Sequence, residues 1–388
     1  MADPTNNSPA VSQDDFKAWR NCRRATTHAE NMTNPFWEWC VKNEADSYQA
    51  NDKFNGPSSF AYKPCWSFER FGRSTTKLPD GRVIYIAGEH EDHYDPDFFI
   101  YNDVIVVAKD GKASIYGYPE KDFPATDFHS ATQVDDSIIL IGSLGYPDDR
   151  DSKKTPVYKL DLSDFSISEI ITSEGPGWIH DQTAVYDKAK HCIIIDDGKR
   201  WTKDKGIIES FSRWQLDLST KQWTLLEKRP WSQYRFERTD GEASEIFQVR
   251  MHHLMPDTGM FALEQFKDNP EILESLKEMQ DEQKKALAKA NPKALDQLYL
   301  SSIPHKKIPQ SDDEDDFTIY QIEVDGIILK FVEDMYYVTL TIKGQLAPEK
   351  LETIIKETEQ QLAAVMGSIY MNKQIQWSQG CFTSKHSR

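Results

Sequence analysis

The sequence lacks paired cysteines, long apolar runs and a secretion signal. Its five cysteines, at 22, 40, 65, 192 and 381, are scattered and form no Cys-x-x-Cys motif, which is typical of reduced thiols. No run of about 18 apolar residues occurs, so no membrane-spanning segment is predicted. The first five residues show no charged-then-apolar signal pattern. We therefore expect a cytoplasmic protein that does not associate with membranes.

The chain is also short of positive charge and of catalytic motifs. Lys and Arg number 46 against 63 Asp and Glu, giving a net charge of −17 that argues against nucleic acid as a partner. No His-Glu-x-x-His and no Gly-x-Ser-x-Gly is present, so neither a catalytic nucleophile nor a metal or cofactor is predicted. Aromatic residues make up 12% of the 388 residues, enough for a sizeable core spread over two or three domains.

What the sequence does contain is an internal repeat. Each of three units has a polar strand, a turn, an apolar strand, a variable loop and two further strands. The predicted strands are 73–76, 83–86, 103–107 and 113–116; then 129–132, 138–141, 157–162 and 167–171; then 180–183, 192–195, 213–218 and 222–226. Four short strands that recur at about 50 residues are the signature of a β-propeller blade.

These units resemble the kelch repeat of bacterial proteins over roughly residues 68–228. The shared features are the His129-Ser-Ala-Thr strand, apolar strands that end near glycine, and strands such as Val157-Tyr-Lys-Leu-Asp. The kelch diglycine is reduced to Ala87-Gly88, Gly142-Ser143 and Asp197-Gly198, and the family's Trp remains only as Trp223. The resemblance implies a propeller-type architecture and transfers no functional residue. Three clear units predict a small or incomplete ring, with an open fan or a ring shared between subunits as alternatives.

The remaining chain divides by composition, and the predicted fold class is mainly β with a helical segment and a C-terminal α+β module. A degenerate fourth unit is expected in 229–266, with strands at 246–249 and 260–263. The predicted domains are an N-terminal tail and helix (1–57), a kelch-like β-repeat domain (58–266), a helical segment (267–303), an acidic, proline-containing linker (304–316) and a small α+β domain (317–377).

Antiparallel pairing places the start of each first strand and the end of each second strand at one edge of its sheet. His129 and His180 should therefore lie on the same rim as the loops after Gly88, Gly142 and Gly198. Loops on a rigid scaffold are where binding usually occurs. The candidate binding residues on this rim are Glu89, His90, His93, Tyr94, Asp95, His129, Arg150, Trp178, His180, Arg200 and Trp201. A histidine at a repeat position is more often structural, and that alternative stays open for His129 and His180.

The sequence favours a binding protein over an enzyme. The leading hypothesis is a cytoplasmic interaction platform that recognises another protein through the rim. An alternative is a hydrolase or isomerase that uses the His and carboxylate residues of 89–95, with or without a metal. A third is an assembly role as a homo-oligomer, in which a second subunit supplies the missing blades.

Overall fold

The computed structural model divides into two units, Met1–Lys228 and Arg229–Arg388. It describes residues 11–57, 63–90, 98–254, 290–309 and 318–377, together with the single positions 274, 277, 285 and 288. We call the first the β-repeat unit and the second the C-terminal unit.

The β-repeat unit begins with three short helices, each started by a side-chain cap. Ser12 and Asp46 form capping boxes, and the Asn34 side chain accepts a hydrogen bond from the Trp37 amide, with Pro35 in the first helical turn. The elements are α1 (Gln13–Trp19), β1 (Glu30–Asn31), α2 (Pro35–Asn43) and α3 (Ser47–Lys53). The segment 1–57, predicted as a tail and one helix, thus contains three helices within its described residues, 11–57.

Three main antiparallel sheets and two smaller ones follow among the residues that the structure describes. Eleven of the twelve predicted strands coincide with strands of the main sheets to within about two residues at each end, whereas the strand predicted at 180–183 lies at Thr183–Asp187. The strands are β2 (Ser74–Lys77), β3 (Val83–Ile86), β4 (Glu89–His90), β5 (Phe99–Ile100), β6 (Val104–Val107), β7 (Ala113–Gly117), β8 (Ser130–Val134), β9 (Ser137–Ile141), β10 (Val157–Asp161), β11 (Ile167–Glu169), β12 (Ile179–His180), β13 (Thr183–Asp187), β14 (Cys192–Asp196), β15 (Lys199–Thr202), β16 (Gly206–Glu209), β17 (Ser212–Asp217) and β18 (Trp223–Lys228).

The three main sheets share one topology. Their strand orders are β1-β7-β6-β3-β2, β11-β10-β9-β8 and β13-β14-β17-β18. In each, the four repeat strands pair in chain order, and β1 joins the first sheet beside β7; the insertion between the second and third repeat strands differs. It contains the β4–β5 hairpin in the first sheet, a 3-10 helix (Pro147–Asp149) in the second, and the β15–β16 hairpin, paired with β12, in the third. In the described part of this unit the three sheets do not close into a ring.

Shared apolar cores hold the sheets together as a stack. Ile84, Ile86 and Val106 of the first sheet pack with Ile138 and Leu140 of the second. The opposite face of the second sheet packs on the third through Ile139, Ile141, Val157, Ile193, Ile195 and Leu216. Both faces of the middle sheet are thus buried, which accounts for its unbroken apolar strand, Ser137–Ile141.

The C-terminal unit is a six-stranded antiparallel sheet with helices. Its elements are β19 (Ser232–Arg238), α4 (Ile246–Leu254), a 3-10 helix (Pro292–Gln297), β20 (Lys306–Ile308), β21 (Ile319–Val324), β22 (Ile327–Glu333), β23 (Val338–Lys343), α5 (Pro348–Met366) and β24 (Tyr370–Trp377). The strand order is β20-β21-β22-β23-β19-β24. Strands β21, β22, β23 and β24 and helix α5 lie within 317–377, where the sequence predicts a small α+β domain.

Two predicted boundaries are wrong. Residues 229–254 belong to the C-terminal unit, since β19 lies between β23 and β24 and pairs with both. Residues 246–249, expected as a strand of a fourth repeat, begin α4, where Ile246 and Val249 at i and i+3 are both buried. Within the predicted linker, Lys306–Ile308 pairs with β21 as an edge strand. The strand expected at 260–263 lies outside the described residues, whereas positions 274, 277, 285 and 288 of the helical segment are helical.

Candidate functional site

At the edge predicted as the rim, two main-chain hydrogen bonds connect neighbouring sheets. At the end of the second strand, Ala87, Gly142 and Asp197 have φ values of 54°, 82° and 57°. The next amide then reaches the neighbouring sheet: Gly88 N donates to Thr126 O at 2.9 Å, and Ser143 N donates to Ile179 O at 2.8 Å. A Cβ at Gly198, whose φ is 96°, would lie 2.7 Å from His180 O, so this position requires glycine.

A second line of hydrogen bonds corrects the alignment of the repeats. Gly72, Phe128 and Asp181 have φ values of 60°, 47° and 57°. Phe128 N donates to Gly72 O at 2.8 Å, and Asp181 N donates to Phe128 O at 2.9 Å. These three positions are therefore equivalent. Counted from them, His129 corresponds to Gln182, and His180 corresponds to Asp127, so the alignment of His129 with His180 is wrong by two residues.

Asp127 and Glu89 form a carboxyl pair between the first two sheets. Asp127 is fully buried, and its Oδ1 accepts hydrogen bonds from Gly145 N at 2.6 Å and from Ser143 Oγ at 3.2 Å. Its carboxyl is also in side-chain hydrogen-bond contact with Glu89, and burial raises the pKa of Asp127 despite these hydrogen bonds. Since two carboxylates in contact repel each other, the pair is stable when it holds a proton.

His180 lies beside this pair. It is 3% exposed, and its Nδ1 is 3.1 Å from Asp181 Oδ2, which also accepts from Lys199 Nζ at 3.0 Å. Burial would raise the pKa of Asp181, but the contacts with His180 and Lys199 outweigh it and the pKa is lowered. His180 interacts electrostatically with Asp127. Its Nε2 is buried and has no hydrogen-bond partner within the described part of the chain.

Two other rim histidines, His129 and His90, are also buried. His129 Nε2 is 2.8 Å from Ser74 Oγ, and burial lowers the pKa of His129 to about 4, so the ring is neutral at pH 7. His90 is 1% exposed on β4, where it pairs with Phe99. These contacts fit the structural alternative for His129 better than a binding role.

Arg150 and Trp178 hold the second rim loop. Arg150 donates to Leu144 O and to Gly145 O at 2.9 Å each, and Trp178 Nε1 donates to Leu144 O at 3.0 Å. Trp178 O in turn accepts from the amide of Trp201 at 2.9 Å. Arg200 is exposed and Trp201 is half-buried. Arg200 and Trp201 thus remain at the surface, while Trp178 serves as support beneath it.

The predicted site residues are only partly brought together. Glu89 and His180 meet around Asp127, whereas His93, Tyr94 and Asp95 lie outside the described residues. Sequence reasoning missed Asp127 as a site residue because a lone acid before an apolar residue carries no motif. The positive φ at Phe128, which aligns Asp127 with His180, is a main-chain property that the residue type does not reveal.

Neither a metal group nor a membrane-spanning helix is found in the described part of the chain. No cluster of three or more His, Cys, Asp or Glu side chains among the described residues has a geometry that would hold a metal ion. None of the helices there is both long enough and apolar enough to cross a membrane.

The chain is similar in structure to solved proteins. No family model and no curated protein matches the chain. The solved structure titled "Structure of YjhT" is similar at a TM-score of 0.31 and 12% identity, over 42% of this chain and 52% of that one. The match thus spans about half the length of that protein.

Proposed function

We propose that the β-repeat unit is a kelch-like, propeller-type platform that recognises another protein through its rim, and that it works in the cytoplasm. The sheet-to-sheet hydrogen bonds support this proposal, because they fix loops of different length on one scaffold. Cys22, Cys40, Cys65 and Cys192 form no disulfide among the described residues, which suits a reducing compartment.

One observation carries the proposal: the β15–β16 hairpin on the rim carries a net positive charge in an acidic chain. The β15–β16 hairpin contains Lys199, Arg200, Lys203 and Lys205 against Asp204 and Glu209, while the whole chain has a net charge of −17. Arg200 and Lys203 are exposed. Such a local reversal of sign attracts an acidic partner and orients it on this side of the unit.

The test is a charge reversal on the rim compared with an equal reversal on the opposite side. Lys109 and Lys112 are exposed in the β6–β7 turn, at the end of the first sheet away from the rim. We expect a partner from the source organism to bind the wild-type chain and the Lys109→Glu/Lys112→Glu variant. The same partner should not bind the Arg200→Glu/Lys203→Glu variant. Equal binding to all three, or equal loss from both variants, would contradict the proposal.

A second candidate, acid–base catalysis by a hydrolase or isomerase, is favoured by the His180 surroundings. Asp181 orients the imidazole, the opposite ring nitrogen has no partner among the described residues, and a carboxyl pair lies close by. Turnover of p-nitrophenyl esters, glycosides or phosphates by the wild type, abolished in His180→Gln, would support this candidate. No turnover, or turnover that His180→Gln leaves unchanged, would exclude it for these substrates.

A further inference from the structure

Strand β16 is an edge strand on the rim. It belongs to the three-stranded sheet β12-β15-β16 and pairs with β15 through Lys199 and Glu209, Arg200 and Ile208, Trp201 and Ile207, and Thr202 and Gly206. Among the described residues no strand pairs with its other side. An exposed strand edge is a template for an additional strand unless it is blocked.

The hydrogen-bond pattern shows which main-chain groups face outwards. Trp201 N donates to Trp178 O, away from β16, and Ser210 N donates to Gly198 O, next to β15 in the chain. Main-chain groups alternate in direction along an antiparallel strand. Since Trp201 is opposite Ile207, the N–H and C=O of Ile207 point away from β15. In the described part of the chain, no hydrogen bond to the main chain of Ile207 is found.

The side chains around this edge define what it would accept. Ile207 is 40% exposed and lies on the same face of the hairpin as Trp201. Lys203 and Lys205, both exposed, lie in the turn next to the edge. An added strand would therefore meet an apolar contact on one face and positive charge at the turn.

We propose that β16 binds an extended acidic segment of the partner protein by strand addition. The proposal rests on the rim function above and names the chemistry of its partner. Main-chain hydrogen bonds to Ile207 would supply affinity, and the apolar and basic side chains would select a segment in which apolar and acidic residues alternate.

The test uses a short fluorescein-labelled peptide of alternating Val and Glu, titrated with the full chain and followed by anisotropy. Ile207→Pro removes an outward N–H and leaves the β15–β16 ladder intact, because an edge strand tolerates proline on its solvent side. Ile207→Thr is the matched control, which keeps the N–H and the β-branched shape. We expect Pro to raise Kd about tenfold and Thr to change it by less than about threefold.

Two further peptides separate the sources of affinity. The same peptide with Lys in place of Glu should bind at least about tenfold more weakly. A version N-methylated at alternate residues should lose binding, which tests strand pairing even if Ile207→Pro fails to fold. No binding of the acidic peptide to the wild type, or undiminished binding of the N-methylated peptide, would overturn the proposal.

The outcomes also separate this inference from the proposed function. If the acidic peptide does not bind the wild type but the Arg200→Glu/Lys203→Glu variant still loses the partner protein, strand addition is wrong. The proposal that the rim recognises a partner is then retained. If the peptide binds at β16 but the rim reversal leaves the partner bound, the platform is wrong and β16 is a binding edge of unassigned role.

Discussion

The two ends of the sheet stack are closed in different ways. The outer face of the first sheet, with Ile105, Ala113 and Ile115, is buried under the N-terminal helices. The outer face of the third sheet carries Thr183 and Val185 and is open to solvent, with Val185 66% exposed. A stack of repeats needs its last faces covered or polar to remain soluble, and this chain uses one solution at each end.

This difference also explains why three units suffice. The helices lie where a preceding sheet would pack, so a fourth sheet, from this chain or another, cannot stack on the first. At the other end, β13, β14 and β17 of the third sheet alternate: Ala184, Ile193 and Ile195 face the stack, whereas Thr183 and Gln215 face away. The open fan among the sequence alternatives fits these two ends better than a shared ring.

The capped end should be the most sensitive to mutation. Asp103 is paired with Arg70 at 2.5 and 3.0 Å, accepts from Trp66 Nε1 at 3.1 Å, and all three side chains are buried. Asp103→Asn leaves the buried guanidinium uncompensated, and we expect it to lower the free energy of unfolding by about 3–5 kcal/mol. Urea denaturation measures this. Asp80→Asn, which breaks the exposed pair with Arg82, is the control and should leave the free energy of unfolding nearly unchanged. Similar losses in the two variants would mean that the cap is not a stabilising element.

The second-largest loss of stability is expected from mutations in the middle sheet. Ile141 is fully buried between the second and third sheets, and Ile141→Ala should cost about 2–5 kcal/mol in the same denaturation experiment. Its control is Ile171→Ala at an exposed position, where Ile171 is 70% exposed and a change within about 0.5 kcal/mol is expected. A near-neutral result at Ile141 would contradict the stacking of these two sheets.

The apolar strands were predictable from the sequence. Which sheets and strands pack against them was not. Ile139, Ile141, Val106 and Leu160 are buried as expected from their apolar strands, whereas Ile194 is only half-buried because it faces the open end. Which sheet is terminal depends on contacts distant in sequence. Likewise, residues 229–254 were predicted to lie in the repeat domain because a sequence pattern does not reveal which strands pair, and the partners of β19, β23 and β24, lie more than a hundred residues further along the chain. The candidate site was predicted as a rim, but Asp127 required the main-chain geometry.

His129 gives the packed part of the rim a pH dependence. Its pKa falls from 6.5 to about 4 in the folded chain, so the unfolded chain binds the extra proton and stability is lost as pH falls below about 6.5. Between pH 7 and pH 5 this loss amounts to about 2 kcal/mol. His129→Gln should therefore lose about 2 kcal/mol less of its free energy of unfolding than the wild type between pH 7 and pH 5. The contribution of Asp127 cancels in this comparison because Asp127 is present in both the wild type and the variant. The exposed His191→Gln variant should keep the wild-type slope, and the same reduction there would refute the assignment.

Mutations at the open end should change the free energy of unfolding least. The same substitution made at a buried position and at an exposed position tests this expectation. Val→Thr keeps shape and exchanges a methyl group for a hydroxyl. At Val157, which is fully buried in the middle sheet, the hydroxyl lacks water and we expect a loss of about 1–3 kcal/mol. At Val185, 66% exposed, the change should stay within about 0.5 kcal/mol in chemical denaturation. A larger loss at Val185 that grows with protein concentration would mean that a second copy covers this face, and the open end would then be an interface.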